Sequence, residues 1–259
     1  MENRIIKFPR TPHIEGSRLQ DGDGDLSQIP LCSIAGKRVT VTEKVDGANV
    51  GISFSGGELM LQSRGHYLTG GHRERDYELF KIWATTHRDE LYSILSERYI
   101  MYGEWLYAKH KIYYNRLPHY FLEFDIFDRD TGEFLDTGTR MRMLNGSSVC
   151  SVPILFEGEI RTKGQLTDLI TQSRYIAGDH IAELCALAEK MGVEREELLS
   201  LTDPSALAEG VYLKLEEGGR VSARMKFVRH GYTQVSGIEE RWHARRIIPN
   251  GLYDPDRFI

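Results

Sequence analysis

The stretch Thr42-Glu43-Lys44-Val45-Asp46-Gly47 sets a lysine two residues before an aspartate and a glycine, a pattern that can present an amine as a nucleophile. Lysine reacts poorly at neutral pH, because a reference pKa of ~10.4 leaves only about one molecule in a few thousand uncharged. A cluster of other cations, together with a bound metal ion, would disfavour the ammonium form. Arg64, Lys214, Arg224 and Lys226 are the candidates for that cluster. The same cations would neutralise a triphosphate and stabilise charge as pyrophosphate leaves. Taken alone, Lys-x-Asp-Gly arises by chance in roughly 3% of chains this long, and its plain alternative is a strand-to-turn with two solvated charges.

Those residues must be positioned by a particular set of elements. Apolar and polar residues alternate from Arg38 to Phe54, a Gly56-Gly57 turn follows, and Leu59 to Gln62 alternates again, which predicts a meander of antiparallel strands. Between Arg73 and Tyr99 the spacing of Tyr77, Phe80, Trp83, Leu91, Ile94 and Leu95 becomes helical and predicts one broken helix or two short ones. Strands are expected again at Tyr99–Tyr102 and Tyr120–Phe127, dense in aromatic and β-branched residues, with a turn at Asp130-Thr131-Gly132. Lys163 to Ser200 reads as helical, and the last strands are Gly210–Leu215 and Ala223–Val228. Helices and strands are thus partly segregated, which predicts an α+β fold and not a doubly wound parallel sheet.

Composition bounds the function. The 259 residues include 41% hydrophobic ones, enough for an ordinary core, and a formal net charge of -5 confines any nucleic-acid contact to a local patch. No apolar run approaches the ~20 residues of a membrane span, and the start lacks the apolar middle of a signal peptide, so a cytoplasmic protein without membrane contact is expected. Cys32, Cys150 and Cys185 are widely spaced and odd in number, so buried free thiols are expected instead of zinc or a redox pair.

Further pieces follow Lys44 in a fixed order, and together they resemble the ATP-dependent RNA and DNA ligases and the messenger-RNA capping enzymes. Lys44-Val45-Asp46-Gly47 is similar to the first motif of that superfamily, whose lysine becomes adenylylated, with Glu43 and Asp46 flanking the nucleotide. Ala48-Asn49 resembles the RNA-ligase class typified by the second phage T4 RNA ligase. Ser63-Arg64 resembles the downstream arginine motif that contacts the ribose and the incoming strand. Tyr102-Gly103-Glu104-Trp105 is similar to the third motif, and Phe121 to Ile126 to the aromatic motif that stacks on the purine, with Phe124 as the platform and Phe121 competing for that role. Glu209 to Lys214 resembles the fourth motif and Arg224-Met225-Lys226 the fifth, where an arginine stands in place of a usual lysine. An arginine keeps the charge and can fork onto phosphate, but it cannot give up a proton near neutral pH.

The resemblance implies a nucleotidyltransferase fold, two antiparallel sheets flanked by helices, in a single adenylyltransferase domain over 1–259. It would carry an N-terminal arm (1–37), a helical insert (163–200) and a short tail (229–259). That tail is too short for the C-terminal OB domain of DNA ligases and capping enzymes, since a five-stranded barrel needs about twice its length. The expected activity is joining of 5′-phosphate and 3′-hydroxyl RNA ends through a lysyl-AMP, with ATP as adenylyl donor. Glu104 and Glu209 would hold Mg²⁺, or Mn²⁺ in its place. Expected partners are RNA ends, nicked duplex included, and an end-healing or substrate-holding protein.

The alternatives are a DNA ligase, a capping enzyme, or a non-catalytic module that holds nucleotides or RNA ends. His66, His72, His110 and His119 lie among basic residues and read as solvated loops before they read as catalytic. The cation–aromatic mixtures at Lys109–Arg116 and Arg241–Arg246 suit either a nucleic-acid backbone or an ordinary surface.

Overall fold

A computed structural model describes residues 5–19, 23, 27–232 and 246–257. The three strands expected near its start are present, β1 (Arg38–Lys44), β2 (Ala48–Ser55) and β3 (Glu58–Ser63), but they are not one meander: β2 pairs with β3, whereas β1 pairs with later strands in a different sheet. Gly56 and Gly57, with φ of 60° and 78°, make the β2–β3 turn in the left-handed region that glycine occupies without strain. The helical stretch is two short helices, α1 (Glu78–Thr86) and α2 (Arg88–Leu95), broken at His87. β4 (Tyr99–Trp105) and β5 (Phe121–Asp128) follow, then β6 (Glu133–Phe134), α3 (Thr137–Met143), β7 (Cys150–Ser151) and β8 (Ile154–Glu159).

Lys163 to Ser200 is not one helical insert. It divides into α4 (Lys163–Asp168), α5 (His180–Met191) and α6 (Arg195–Ser200). Asp179 caps α5 by accepting the Ala182 amide at 2.9 Å, and Gly192 ends it at φ 64°. The non-helical stretch before α5 has its own task, because Ser173 reaches a buried glutamate of β1. β9 (Gly210–Glu217) and β10 (Arg220–Val228) close the list of strands.

The strands form a sheet of order β10-β9-β1-β8 and a second of order β3-β2-β4-β5-β6, with β7 beside β5. All pairs are antiparallel except β5–β7. Each sheet buries one face in a core of its own. Val39, Val41, Val211, Leu213, Met225 and Phe227 pack behind the first, and Val50, Ile52, Phe54, Met101 and Ile126 pack against Phe80, Trp83, Leu91 and Leu95 behind the second. The other two faces look towards each other across the cleft between the sheets, which a packed cluster of Phe8, Tyr102, Phe124 and Tyr212 partly fills.

The N-terminal arm is ordered against the edge of the first sheet. Ile14 N donates to Lys226 O at 3.0 Å, Lys226 N to Pro12 O at 3.0 Å and Arg18 N to Val228 O at 3.0 Å. The far tail is tied in as well: the Asn250 side chain accepts the Tyr114 amide and donates to Leu106 O. Two expectations need correction. Cys32 is exposed and Cys150 and Cys185 are half-buried, so the free thiols are not core residues. Lys109–Arg116 is no surface patch, since Lys109, Ile112, Tyr113, Tyr114 and Asn115 are all buried. Arg241–Arg245 lies outside the described residues. No helix among the described residues is long and apolar enough to cross a membrane.

Candidate active site

Strand parity assembles the site. In antiparallel pairs directly opposed residues share a face, and the register pairs Lys44 with Gly210, Thr42 with Tyr212, Thr40 with Lys214, Lys214 with Arg224 and Tyr212 with Lys226. Lys44, Lys214, Arg224 and Lys226, scattered over the sequence, therefore stand on one face of one sheet. Glu43, one residue out of phase, faces the other way. It is 3% exposed, accepts the Ser173 hydroxyl at 2.5 Å and the Arg174 amide at 3.4 Å, and burial pushes its carboxyl up. Its expected place beside the nucleotide is thus corrected. A cavity of about 210 Å³ lined by Glu43, Leu155, Asp168 and Arg174 lies on that opposite face, away from Lys44.

From the second sheet come Asn49 and Glu104, cross-strand partners on β2 and β4. The Gly47 amide donates to Glu104 Oε1 at 3.2 Å, and only a glycine fits there: a Cβ would lie 2.7 Å from both Leu106 Cδ2 and the Trp105 carbonyl. Glu104 is pushed up to about 8, chiefly by burial and further by Glu209 and Asp46, with Lys44 pulling the other way. The β4–β5 register slips between Tyr102 and Gly103, which leaves Phe124 without an opposed residue and sends Asp125 across the cleft.

Lys44 Nζ donates to Glu209 Oε2 at 2.7 Å, and Glu209 is 1% exposed. The electrostatics here reverse the expectation. Burial alone would lower the lysine, but Glu209, Glu104 and Asp46 outweigh it and hold the ammonium above its ordinary value. The cations are engaged elsewhere. Lys214 Nζ donates to Phe124 O at 2.5 Å and Asp125 Oδ1 at 2.9 Å, and burial, with Arg140 nearby, brings it down to about 8. Arg224 lies 3.5 Å from Asp125 and 4.0 Å over the Phe134 ring. Lys226 Nζ lies 2.5 Å from Asp23. Arg64 is exposed just beyond β3 and has no ion-pair partner among the described residues.

Asp46 serves as a loop anchor: its Oδ2 accepts the Lys111 and Ile112 amides at 2.8 and 2.9 Å, and its own amide donates to the Tyr114 hydroxyl. Phe121 is core, stacked on Phe80 and close to Trp83, whereas Phe124 is half-buried at the cleft with Phe8 against its edge. His119 is buried and accepts the Phe121 amide at 2.9 Å, so it is not a solvated loop residue. Asp125 and Tyr212 join the site through strand register, His13 through its bridge to Lys226, and Asp23 through its contacts with Arg10, His13 and Lys226.

The donor set suits a hard divalent cation. Glu104 and Glu209 flank Lys44, and Asn49 Oδ1 is buried with no hydrogen-bond partner. Among the described residues no group of three or more His, Cys, Asp or Glu is arranged to hold a metal ion by itself, so water or phosphate oxygens would have to complete such a site.

The family model described as RNA ligase matches residues 37–228, from the start of β1 to the end of β10. The chain belongs to the RNA ligase family. Structures of three Naegleria gruberi RNA ligase variants, each with ATP and Mn, share the RNA ligase nucleotidyltransferase fold. Their TM-scores are 0.51, 0.52 and 0.51 at 17%, 17% and 18% identity. They match over 78%, 78% and 83% of this chain, which spans about half the length of those ligases (52%, 52% and 54% of theirs). No curated protein matches the chain.

Proposed function

We propose that this RNA ligase family member is an ATP-dependent RNA ligase that joins 5′-phosphate and 3′-hydroxyl ends through a lysyl-AMP on Lys44. The observation that carries the reading is the shared face: Lys44, Lys214, Arg224 and Lys226 on one sheet look across a cleft at Asn49, Glu104 and Phe124 on the other. The cations suit a triphosphate, Phe124 offers a ring edge and face to a purine, and the carboxylates surround the amine.

Lys44, in contact with Glu209, first loses its proton to water. Its Nζ then attacks the α-phosphorus of ATP. The N–P bond forms as the bond to the β-phosphate oxygen breaks, and pyrophosphate leaves with the bonding electrons. A 5′-phosphate oxygen of RNA next displaces Lys44 from that phosphorus, and a 3′-hydroxyl finally attacks the activated 5′-phosphate and expels AMP. A divalent cation held by Glu104 and Glu209 would supply the positive charge that draws both carboxylates off the ammonium. Lys214, Arg224 and Lys226 bind and orient the phosphates, and Asp46 keeps the loop at 111–112 against the β1–β2 connection.

Sealing of nicked duplexes tests this. With ATP and Mg²⁺, a nick whose 3′-hydroxyl side is RNA should be joined in preference to an all-DNA nick, because the 2′-hydroxyl is what distinguishes the two. Joining of the DNA nick alone would make the chain a DNA ligase, and joining of neither nick would remove the ligase reading.

A further inference from the structure

The N-terminal arm brings a second set of donors to the cleft. His13 pairs in parallel with Lys226 along the β10 edge, and its imidazole is fully buried. Ser17 Oγ accepts the Val228 amide at 2.8 Å and lies 2.6 Å from His13 Nδ1. With the Ser17 hydroxyl proton directed at Nδ1, the Nε2–H of His13 points at Asp23 Oδ2, 2.9 Å away. Lys226 Nζ meets that same oxygen at 2.5 Å, and Arg10 Nη2 meets Asp23 Oδ1 at 3.3 Å. Three donors from three directions, two of them permanent cations, thus converge on one carboxylate. Lys226 and His13 both lie within the electrostatic reach of Lys44, so the cluster belongs to the same end of the cleft as the nucleophile.

A carboxylate is an imperfect occupant of such a nest. It offers two oxygens in a plane and a single charge, whereas a phosphate offers three terminal oxygens in a pyramid with nearly twice the charge. We infer that Arg10 and His13, with Lys226, form a phosphate subsite contributed by the arm, and that Asp23 fills it and is displaced when a phosphate binds. The proposal rests on the ligase reading for its place in a reaction. Two sources share the chemistry, the β- and γ-phosphates of ATP, which leave as pyrophosphate, and the 5′-phosphate of the RNA. His13 is fixed by its hydrogen bonds on both ring nitrogens and by the backbone pairing beside it, so it is a preorganised donor. Arg10, at 42% side-chain exposure, is the more adjustable of the two.

Calorimetric titration of the full chain decides the matter without requiring turnover. Inorganic pyrophosphate is one probe, and a short RNA with a 5′-phosphate, against the same RNA with a 5′-hydroxyl, is the other. Asp23→Ala should tighten binding of one probe by roughly tenfold, the effect of removing a competing charge from a charge-assisted site. Arg10→Ala and His13→Gln, each made in the Asp23→Ala background, should reverse that gain. Tightening for pyrophosphate assigns the subsite to the leaving group of ATP. Tightening for the 5′-phosphate RNA, but not its 5′-hydroxyl counterpart, assigns it to the RNA end. Unchanged affinity for both probes in Asp23→Ala, or a gain insensitive to Arg10 and His13, overturns the proposal. Labelling of the wild-type chain with ATP is run alongside, because its failure would remove the ligase reading while leaving the pyrophosphate result interpretable.

Discussion

At the scale of single residues, the site is built around an excess of buried negative charge. Glu104 shows it most clearly, with a carboxyl pushed up to about 8 mainly by burial. In the unfolded chain the same group titrates near ~4.3, so between those values the folded state holds the extra proton. Its contribution to stability is therefore present at low pH and lost as pH rises through about 8. Glu104→Gln carries no such burden. It should be more stable than the wild type by about 2 kcal/mol at pH 8 and nearly equal to it at pH 5, while losing activity, a trade of stability against function. Urea denaturation at the two pH values measures this, and an identical difference at both would show that the carboxyl is not strained by its surroundings. Lys44 has the opposite problem, since Glu209, Glu104 and Asp46 hold it protonated. The expectation from sequence that cations would activate it fails because Lys214 and Lys226 spend their charge on Asp125 and Asp23.

Elements translate sequence order into that geometry, and the β1–β2 connection, which passes from one sheet to the other, is tightly constrained. Gly47 stands where a Cβ would press on Leu106, the Trp105 carbonyl and Glu104 Cγ at 2.7, 2.7 and 2.9 Å. Gly47→Ala should cost about 2 kcal/mol of stability, as overpacking usually does. It should also slow adduct formation by roughly tenfold or more, because it displaces Glu104 beside the amine. A thermal melt and a labelling time course check the two effects, and a variant that melts and labels like the wild type would contradict the packing argument. The strands between residues 38 and 63, the helix pair and the last two strands were legible in alternation and helical spacing, since each buries one face, but alternation did not show that β1 and β2 join different sheets. Period two could also have shown which motif residues share a face, and it would have set Glu43 apart from Lys44. An arm was expected at the start of the chain, but its contacts were not legible, because Arg10, His13 and Asp23 sit in a polar, turn-rich stretch whose order depends on the β10 edge. Neither was the burial of Lys109–Arg116, where Asp46 binds two backbone amides and fixes the loop in the interior. β8 and α3 went unread as well: β8 is an edge strand whose residues are half-buried or exposed, without clean alternation.

In the whole molecule, two sheets with separate cores are held across one cleft, and Lys214 is the main charged link between them. Its ammonium reaches from β9 to Asp125 and to the Phe124 carbonyl on β5, with Arg224 a more distant second partner. Lys214→Met strands a buried carboxylate and should lower stability by about 3 kcal/mol, whereas Lys214→Met with Asp125→Leu should recover part of the loss. Equal stability of the single and double variants in urea would mean that the pair does not couple the sheets. The proposed reaction begins at Lys44, so the account as a whole stands on what happens there. Incubation with Mg²⁺ and ATP labelled in the α-phosphate should give a covalent protein adduct that is stable in denaturant and absent from Lys44→Ala. A wild-type chain that stays unlabelled, or a Lys44→Ala variant that labels as well as the wild type, would contradict the assignment of the nucleophile.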